Sequence, residues 1–409
     1  MKSYIRRAYF QRLWKRLHSA PRLLQVVVGP RQVGKTTLAY QLLDRWTGPT
    51  RYETADQPSI PTAQWIEAQW EAARRLTGRR GQHTLLVLDE IQKIPRWSEI
   101  TKRLADEDRR TDRRLRVVLL GSSALLMQRG LSESLAGRFE LHRHPHWSFP
   151  ECQACFGLRW EEYLYFGGYP GALALRKDVD RWQHFVRDSL IETVLAKDVL
   201  LMTPVSKPAL LRQTFGLAVA HPAEIVSYQK MLGTLQDAGN TTTLASYLRL
   251  LAHAFLVVPL ERFSGSRVKQ RGSIPKLLVL DNALVTAMRG GGFRAATRDP
   301  AFWGRLTENA VGAQLYWQAQ ERGGELCYWR DRQAEVDFVW AQGTDIRAIE
   351  VKSGAGPVGS EGVEAFQRRY PQSRALYITG RRGRVTTRPW PSMTLEQFFR
   401  APSGGRGRS

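Results

Sequence analysis

Cysteine is scarce, with three residues in a chain of 409. Three thiols cannot build a disulfide framework, which excludes the small secreted scaffolds that depend on one and favours a reducing compartment. No apolar run approaches the roughly 20 residues needed to cross a bilayer, and the amino terminus lacks the pattern of a secretory signal. We therefore expect a cytoplasmic protein with no membrane partner. Acid is scarce too: 38 Asp and Glu stand against 61 Lys and Arg, a formal +23. The first 22 residues carry seven basic groups and no acid, and the last 29 carry seven arginines against Glu396 alone. Basic residues are also spread through the body of the chain. That balance points first to nucleic acid, with an anionic membrane surface or plain solubility behind it. Cys152 and Cys155 form a lone C-x-x-C, and His142, His144 and His146 alternate along an expected strand. Neither pattern has a second ligand pair at metal-site spacing, so both are set aside.

What is present begins with "LLQVVVGPRQVGKTTLAYQLL", Leu23 to Leu43. Five of its first six residues are apolar and three are valine, the mark of a strand buried on both faces. Gly29, Pro30, Arg31, Gln32, Val33, Gly34, Lys35 and Thr36 then complete G-x-x-x-x-G-K-[ST], with Thr37 next in a helical pattern. Small residues there let backbone N–H groups turn inward around phosphates at the positive end of a helix. Lys35 is expected on the β- and γ-phosphates of ATP and the Thr36 hydroxyl on Mg²⁺.

"TLLVLDEIQKI" supplies a second buried strand that ends in Asp89 and Glu90. In NTPases of this kind the first acid holds the Mg²⁺ shell and the second orients the attacking water. "RLRVVLLGSSALL" is a third strand, ending at Ser122, whose hydroxyl would hold that water or the γ-phosphate. Arg138, in "SLAGRF", fits either a surface charge or an arginine finger reaching into a neighbouring subunit, a role that requires an oligomer.

Alternating strands and helices argue a parallel α/β core over residues 1–148. A helical lid is expected at 149–203, where the "FGGYPGAL" turn places Pro170 for contact with the adenine or the hinge. Over 204–280, helix, turn and a helix capped from Thr241 to Thr243 precede two short strands, the outline of a winged helix. Arg267, Lys269 and Arg271 lie between those strands and would rest on DNA phosphates. Winged helices also serve as protein-packing modules.

The stretch 281–385 carries a second constellation, followed by a basic tail at 386–409. Glu308 lies on an amphipathic helix, Asp337 on a strand, and Glu350 and Lys352 on the next strand. Because strand side chains alternate, Glu350 and Lys352 share a face. Three carboxylates on adjoining elements suit one or two Mg²⁺ ions, with the lysine activating water. A nuclease fold kept for gripping DNA without cutting fits the same residues.

Taken together, "GPRQVGKTT", "LLVLDEIQKIPRW", "LLGSSALL", "SLAGRF", "FGGYPGAL", "YWRDRQAEVDF" and "IEVKSG" resemble the bacterial and archaeal AAA+-type ATPases whose C-terminal domain of unknown function is related to restriction endonucleases. The resemblance covers Tyr4 to Gly380, and "SLAGR", "EVDF" and "EVKSG" narrow it most. It implies an ATPase core, a winged helix and an endonuclease-like domain, with Arg138 as the finger of a ring, a hexamer in expectation. It also implies that Asp337, Glu350 and Lys352 match the endonuclease motif and that Glu308 is the helix-borne acid found in Holliday-junction resolvases. The leading expectation is an ATP-hydrolysing motor that remodels DNA, branched or four-way-junction DNA included. An ATP-gated, Mg²⁺-dependent endonuclease and a nucleotide-dependent switch for a protein partner are the alternatives.

Overall fold

The computed structural model describes residues 6–59, 61–76, 82–122, 127, 135–199, 205, 207–235, 240–264, 273–354, 361–380 and 390–401. The chain divides into two compact units, Met1–Pro145 with His253–Phe255, and His146–Ala252 with Leu256–Ser409.

In the first unit, β1 (Leu24–Val28), β3 (Thr84–Asp89) and β4 (Leu115–Gly121) are the apolar runs, and they form the middle of a sheet. β2 (Thr50–Thr54) and β5 (Phe139–Arg143) are only half-buried because they form its edges. The order is β2-β3-β4-β1-β5, and every pairing is parallel. Parallel strands need crossovers that cover both faces, which is why the central three show no polar alternation. The helices are α1 (Arg7–Leu17), α2 (Lys35–Arg45), α3 (Ala63–Arg75) and α4 (Trp97–Arg110). Phe10, Leu13 and Leu17 of α1 join Leu38 and Leu42 of α2 over Val27, Val87 and Val118. Between α3 and α4, Arg74 is fully buried on Asp108 (2.8 Å), which also accepts from the Trp70 indole (2.8 Å).

The second unit opens with short helices, Phe149–Phe156, Trp160–Phe166, Pro170–Leu173 and Val179–His184, then widened turns to Val199. Helices Pro208–Ala220, Tyr228–Thr234 and Thr241–His253 follow. The last of these is capped one residue before the threonine cluster: Asn240 Oδ1 accepts from the Thr243 N–H (2.9 Å), since its amide oxygen reaches N3 from N-cap. β6 (Val257–Leu260) and β7 (Lys276–Val279) pair antiparallel, and residues 223–226 hydrogen-bond to the free side of β7.

The long helix Pro300–Arg322 starts on an Asp299 cap with Pro300 in its first position and stops at Gly323, whose φ is 70°. It crosses closely over the sheet because Gly312 has no side chain; a Cβ there would meet the Phe338 ring at 2.5 Å. The sheet beneath it contains β8 (Glu325–Asp331), β9 (Ala334–Gln342), β10 (Asp345–Lys352), β11 (Arg374–Thr379) and β12 (Ser392–Thr394). Their order is β12-β11-β10-β9-β8, antiparallel from β8 to β10 and parallel from β10 to β12. The helix Glu361–Arg369 presses Val363 and Phe366 into a cluster with Trp329, Val336, Val339 and Tyr377. Cys152, Cys155 and Cys327 are all free thiols. Among the described residues no helix is long and apolar enough to cross a membrane.

Candidate functional sites

β1, β3 and β4 end at one edge of the first sheet, where ligands of open α/β folds bind. The loop leaving β1 turns through left-handed Gln32 (φ 58°) and Gly34 (φ 93°) into α2. Gly29 is obligatory at the start of the loop, since a Cβ there would lie 2.0 Å from the His144 carbonyl oxygen. The buried Lys35 ammonium donates to the carbonyls of Gly29 (3.0 Å) and Pro30 (2.6 Å), so it is held at the mouth of the loop. Thr36, one residue on, donates its hydroxyl to Asp89 Oδ2 (2.7 Å).

Asp89 also accepts from the Tyr52 hydroxyl (3.0 Å) and from the Glu90 N–H (2.9 Å). Burial holds its pKa above the usual carboxylate value, while the Thr36 hydrogen bond pulls the other way. Two hard oxygens, hydroxyl and carboxylate, stand together in a desolvated corner, a donor set that suits Mg²⁺. Burial and the Asp89 charge in turn raise the Tyr52 phenol, which therefore stays a donor.

Glu90 sits at φ 54° in the left-handed region, a conformation that costs an ordinary residue about 1–3 kcal/mol and clusters at functional sites. The turn aims its carboxylate across to the end of β4, where Oε2 accepts from Ser122 Oγ (2.9 Å) and Gln92 Nε2 (2.6 Å). Ser122 thus holds the acid expected to orient water.

Arg138 is not brought here. It precedes β5, whose first residue pairs with Leu24 at the start of β1, so it lies at the opposite edge of its own sheet. There its guanidinium bonds Asp106 on α4 (2.7 Å). His144 is packing: buried against the Tyr9 ring, it has a pKa driven far down by desolvation and then by Arg6 and Lys35.

In the second unit the ladder between β9 and β10 ends at Phe338 and Ile349. Beyond it the strands part, and the Val351 N–H goes to the Asp337 carboxylate (2.8 Å) instead. Glu350 and Lys352 share a face of β10 and pair at 2.8 Å. Glu350 Oε2 is buried without a hydrogen-bond partner among the described residues. Glu308 reaches in from the long helix, but its partner is Lys276 on β7 (2.5 Å). Lys276 is 1 % exposed, donates to the Asp337 carbonyl (3.1 Å), and has Glu335 at 3.7 Å and the Asp337 carboxylate at 4.0 Å. Burial would lower its pKa, but Glu308, Asp337 and Glu335 together raise it. Burial, then the Asp337 charge, pushes both Glu308 and Glu350 up to about 7. Four carboxylates and two ammonium groups leave a formal −2 when all are ionised. As they stand, no three acid, His or Cys side chains among the described residues have metal-holding geometry.

Residues 22–153 match the family model of an AAA domain. Residues 158–294 and 303–389 match two further models, each described as a domain of unknown function (DUF8612 and DUF4143). No curated protein matches the chain. Among solved structures, the Orc1 protein of Aeropyrum pernix in complex with DNA overlays with 14% identity and a TM-score of 0.32, covering 71% of this chain and 94% of that one. AMPPCP-bound DnaA from Aquifex aeolicus gives 18%, 0.32, 60% and 87% for the same quantities. A RuvB variant of Thermotoga maritima gives 17%, 0.33, 62% and 89%. Overlays that loose carry no argument about this chain.

The stretch that matches the AAA model gathers Gly29, Lys35, Thr36, Asp89, Glu90 and Ser122 at one edge of its sheet. Pro170 lies in the second unit, opening the short helix Pro170–Leu173 just after Gly168, whose N–H donates to the buried Asp281 (2.7 Å). Arg267, Lys269 and Arg271 lie outside the described residues. Sequence reading missed Tyr52, Gln92, Glu335 and Lys276. Gln92, two residues past Glu90, was the most accessible of these. A lysine opening the apolar run "KLLVLD" was the only signal for Lys276.

Proposed function

We propose that the chain is an ATP-hydrolysing machine that acts on DNA. The observation that carries the ATPase half is the junction of β3 and β4, where Thr36 is tied to Asp89 while Ser122 and Gln92 hold Glu90. In this reading the loop amides and Lys35 hold the triphosphate. Mg²⁺ bound by Thr36 and Asp89 would neutralise developing phosphate charge. Glu90 orients the attacking water, with its own conformation fixed beforehand by Ser122. Arg138 acts in a neighbouring copy, which makes hydrolysis a property of an oligomer, a ring in the simplest closed form.

The DNA half is supported by the +23 charge. It is further supported by the arrangement of residues 208–280, three helices and an antiparallel pair whose β7 is bridged by residues 223–226, which suits a winged helix. The order helix, three-strand meander, helix, strand from Pro300 to Thr379 suits an endonuclease-like domain.

A second reading, Mg²⁺-dependent cleavage, is favoured by Glu350, Lys352 and Asp337 meeting where β9 and β10 part. It requires Glu308 and Asp337 to exchange Lys276 for a metal.

One experiment separates the readings: an end-labelled four-way junction is incubated with Mg²⁺, with and without ATP, and run on native and denaturing gels. ATP-dependent separation into duplexes with full-length strands supports the motor. Shortened strands support the nuclease. No change on either gel, with ATP hydrolysis intact, overturns the DNA half.

A further inference from the structure

The edge of the AAA domain opposite the phosphate loop gathers four arginines and a histidine from three neighbouring strands. Arg22 precedes β1, His83 precedes β3, and Arg113, Arg114 and Arg116 surround the start of β4, which lies between them. The backbone fixes the cluster. The Thr84 N–H donates to the Arg114 carbonyl (2.9 Å), Leu85 pairs with Arg116, and Arg22 Nη1 reaches the Arg113 carbonyl (3.3 Å).

The acids nearby already have partners. Asp112 takes Arg22 (2.8 Å), and Asp108 and Glu107 take Arg74. Arg116 is half-buried, and its Nε is buried with no hydrogen-bond partner among the described residues. The His83 Nδ1 is in the same condition. Desolvation and then the Arg22 charge lower the Arg116 pKa, so its surroundings oppose rather than reward its charge. A small cavity of about 50 Å³ opens here, lined by Arg22, Arg109, Arg113 and Arg116 with Trp70 and Asp108. A half-buried guanidinium among like charges destabilises the fold unless an anion completes it.

We propose that this edge is a phosphate-binding surface for the nucleic-acid backbone, with Arg114 and Arg116 as its contacts. The proposal rests on the reading that the chain acts on DNA and names one surface that grips it. Guanidinium forks suit phosphate oxygens. Arg116 is about six residues of strand from Gly29, or roughly 20 Å, too far to touch the nucleotide. DNA on this edge would lie under the ATPase sheet, away from the site of hydrolysis.

The test compares wild type with Arg114→Gln/Arg116→Gln for duplex DNA binding, by fluorescence anisotropy between about 50 and about 200 mM salt. We expect affinity to fall by about tenfold or more at the lower salt, and the slope of log K against log salt to shrink by about 1.8, at 0.9 per contact. Basal ATP hydrolysis without DNA should be unchanged, and the melting temperature equal or higher, because an unpaired charge has been removed. Arg116→Lys alone, with Arg114 intact, should keep most of the wild-type slope. If wild type binds no DNA, the DNA reading itself fails. If wild type binds and the double variant keeps the same affinity and slope, this surface is refuted while the DNA reading stands. A loss of protection by inorganic phosphate with DNA binding intact would assign a free anion and overturn the proposal. So would selective loss of binding to phosphatidylserine vesicles.

Discussion

Lys276→Met is the sharpest perturbation of the second unit. Methionine keeps most of the stem and removes the ammonium, which lies over the Phe338 ring (4.9 Å) and which Glu308, Glu335 and Asp337 surround. Breaking a buried pair by deleting one partner costs about 3–5 kcal/mol, because a charge is left stranded. Here the cost must depend on pH. Glu308 titrates near 7 in the folded chain, above the ordinary glutamate value of 4.5. At pH 5 Glu308 is protonated with or without the ammonium, and the variant should lose only about 1 kcal/mol of hydrogen bonding. At pH 8 the wild-type acid is ionised, and in the variant, without the ammonium that holds its pKa down, it must take up a proton or stay stranded, so the loss is larger. The variant also changes the formal charge of the cluster from −2 to −3, which should strengthen its hold on a divalent cation. Mg²⁺ at 100 times its dissociation constant would then return about 2.7 kcal/mol. The assay is native-state amide exchange of β9 and the long helix at pH 5 and pH 8, with and without Mg²⁺, in nucleotide-free protein. Equal losses at both pH values, or Mg²⁺ protection no greater than in wild type, would refute the view that Lys276 stands in for a metal. Asp337→Asn added to Lys276→Met should abolish the Mg²⁺ protection and so locate it.

Glu90→Gln should bind ATP normally and hydrolyse it at least about a hundredfold more slowly, read by phosphate release; a normal rate would remove Glu90 from the chemistry. Gly29→Ala, whose Cβ would overlap the His144 carbonyl oxygen, should cost about 1–3 kcal/mol of stability and weaken nucleotide binding, checked by melting and by titration with labelled nucleotide. Arg138→Ala should retain ATP binding and lose hydrolysis, and mixing it with Lys35→Ala protein should recover activity if the finger works across subunits; normal hydrolysis by the variant alone would leave only the Asp106 ion pair. Asp281, Glu308 and Glu350 all titrate near 7, above their unfolded values. Between pH 4.5 and 7 the folded chain therefore binds more protons than the unfolded one, and the second unit should lose stability as pH rises, by up to about 1.4 kcal/mol per pH unit and group. Denaturant midpoints that rise with pH over that window would contradict this.

Strand identity was readable because burial on both faces writes itself as uninterrupted valine and leucine, as in β1, β3 and β4. Nothing in "RYETADQPS", which carries the edge strand β2, tells that it lies outside β3. Strand order was not readable at all, and the ATP site depends on it. Glu90 and Ser122 are 32 residues apart, and they meet only because β4 inserts between β3 and β1. The same limit hid the chemistry of the second site. Alternation, a local rule, put Glu350 and Lys352 on one face of a strand, where they pair at 2.8 Å. Lys276 comes from another sheet, 61 residues before Asp337, and ends up 1 % exposed among three carboxylates. A local pattern of acids reads as a metal site because it counts negative charge and assumes the cation is foreign. When the chain carries its own cation on a distant strand, the same acids become an ion cluster. The site then changes function only if that lysine can be displaced, and displacement must work against both its burial and its Glu308 contact. With Lys276 in place, these acids form an internal ion cluster rather than a metal site.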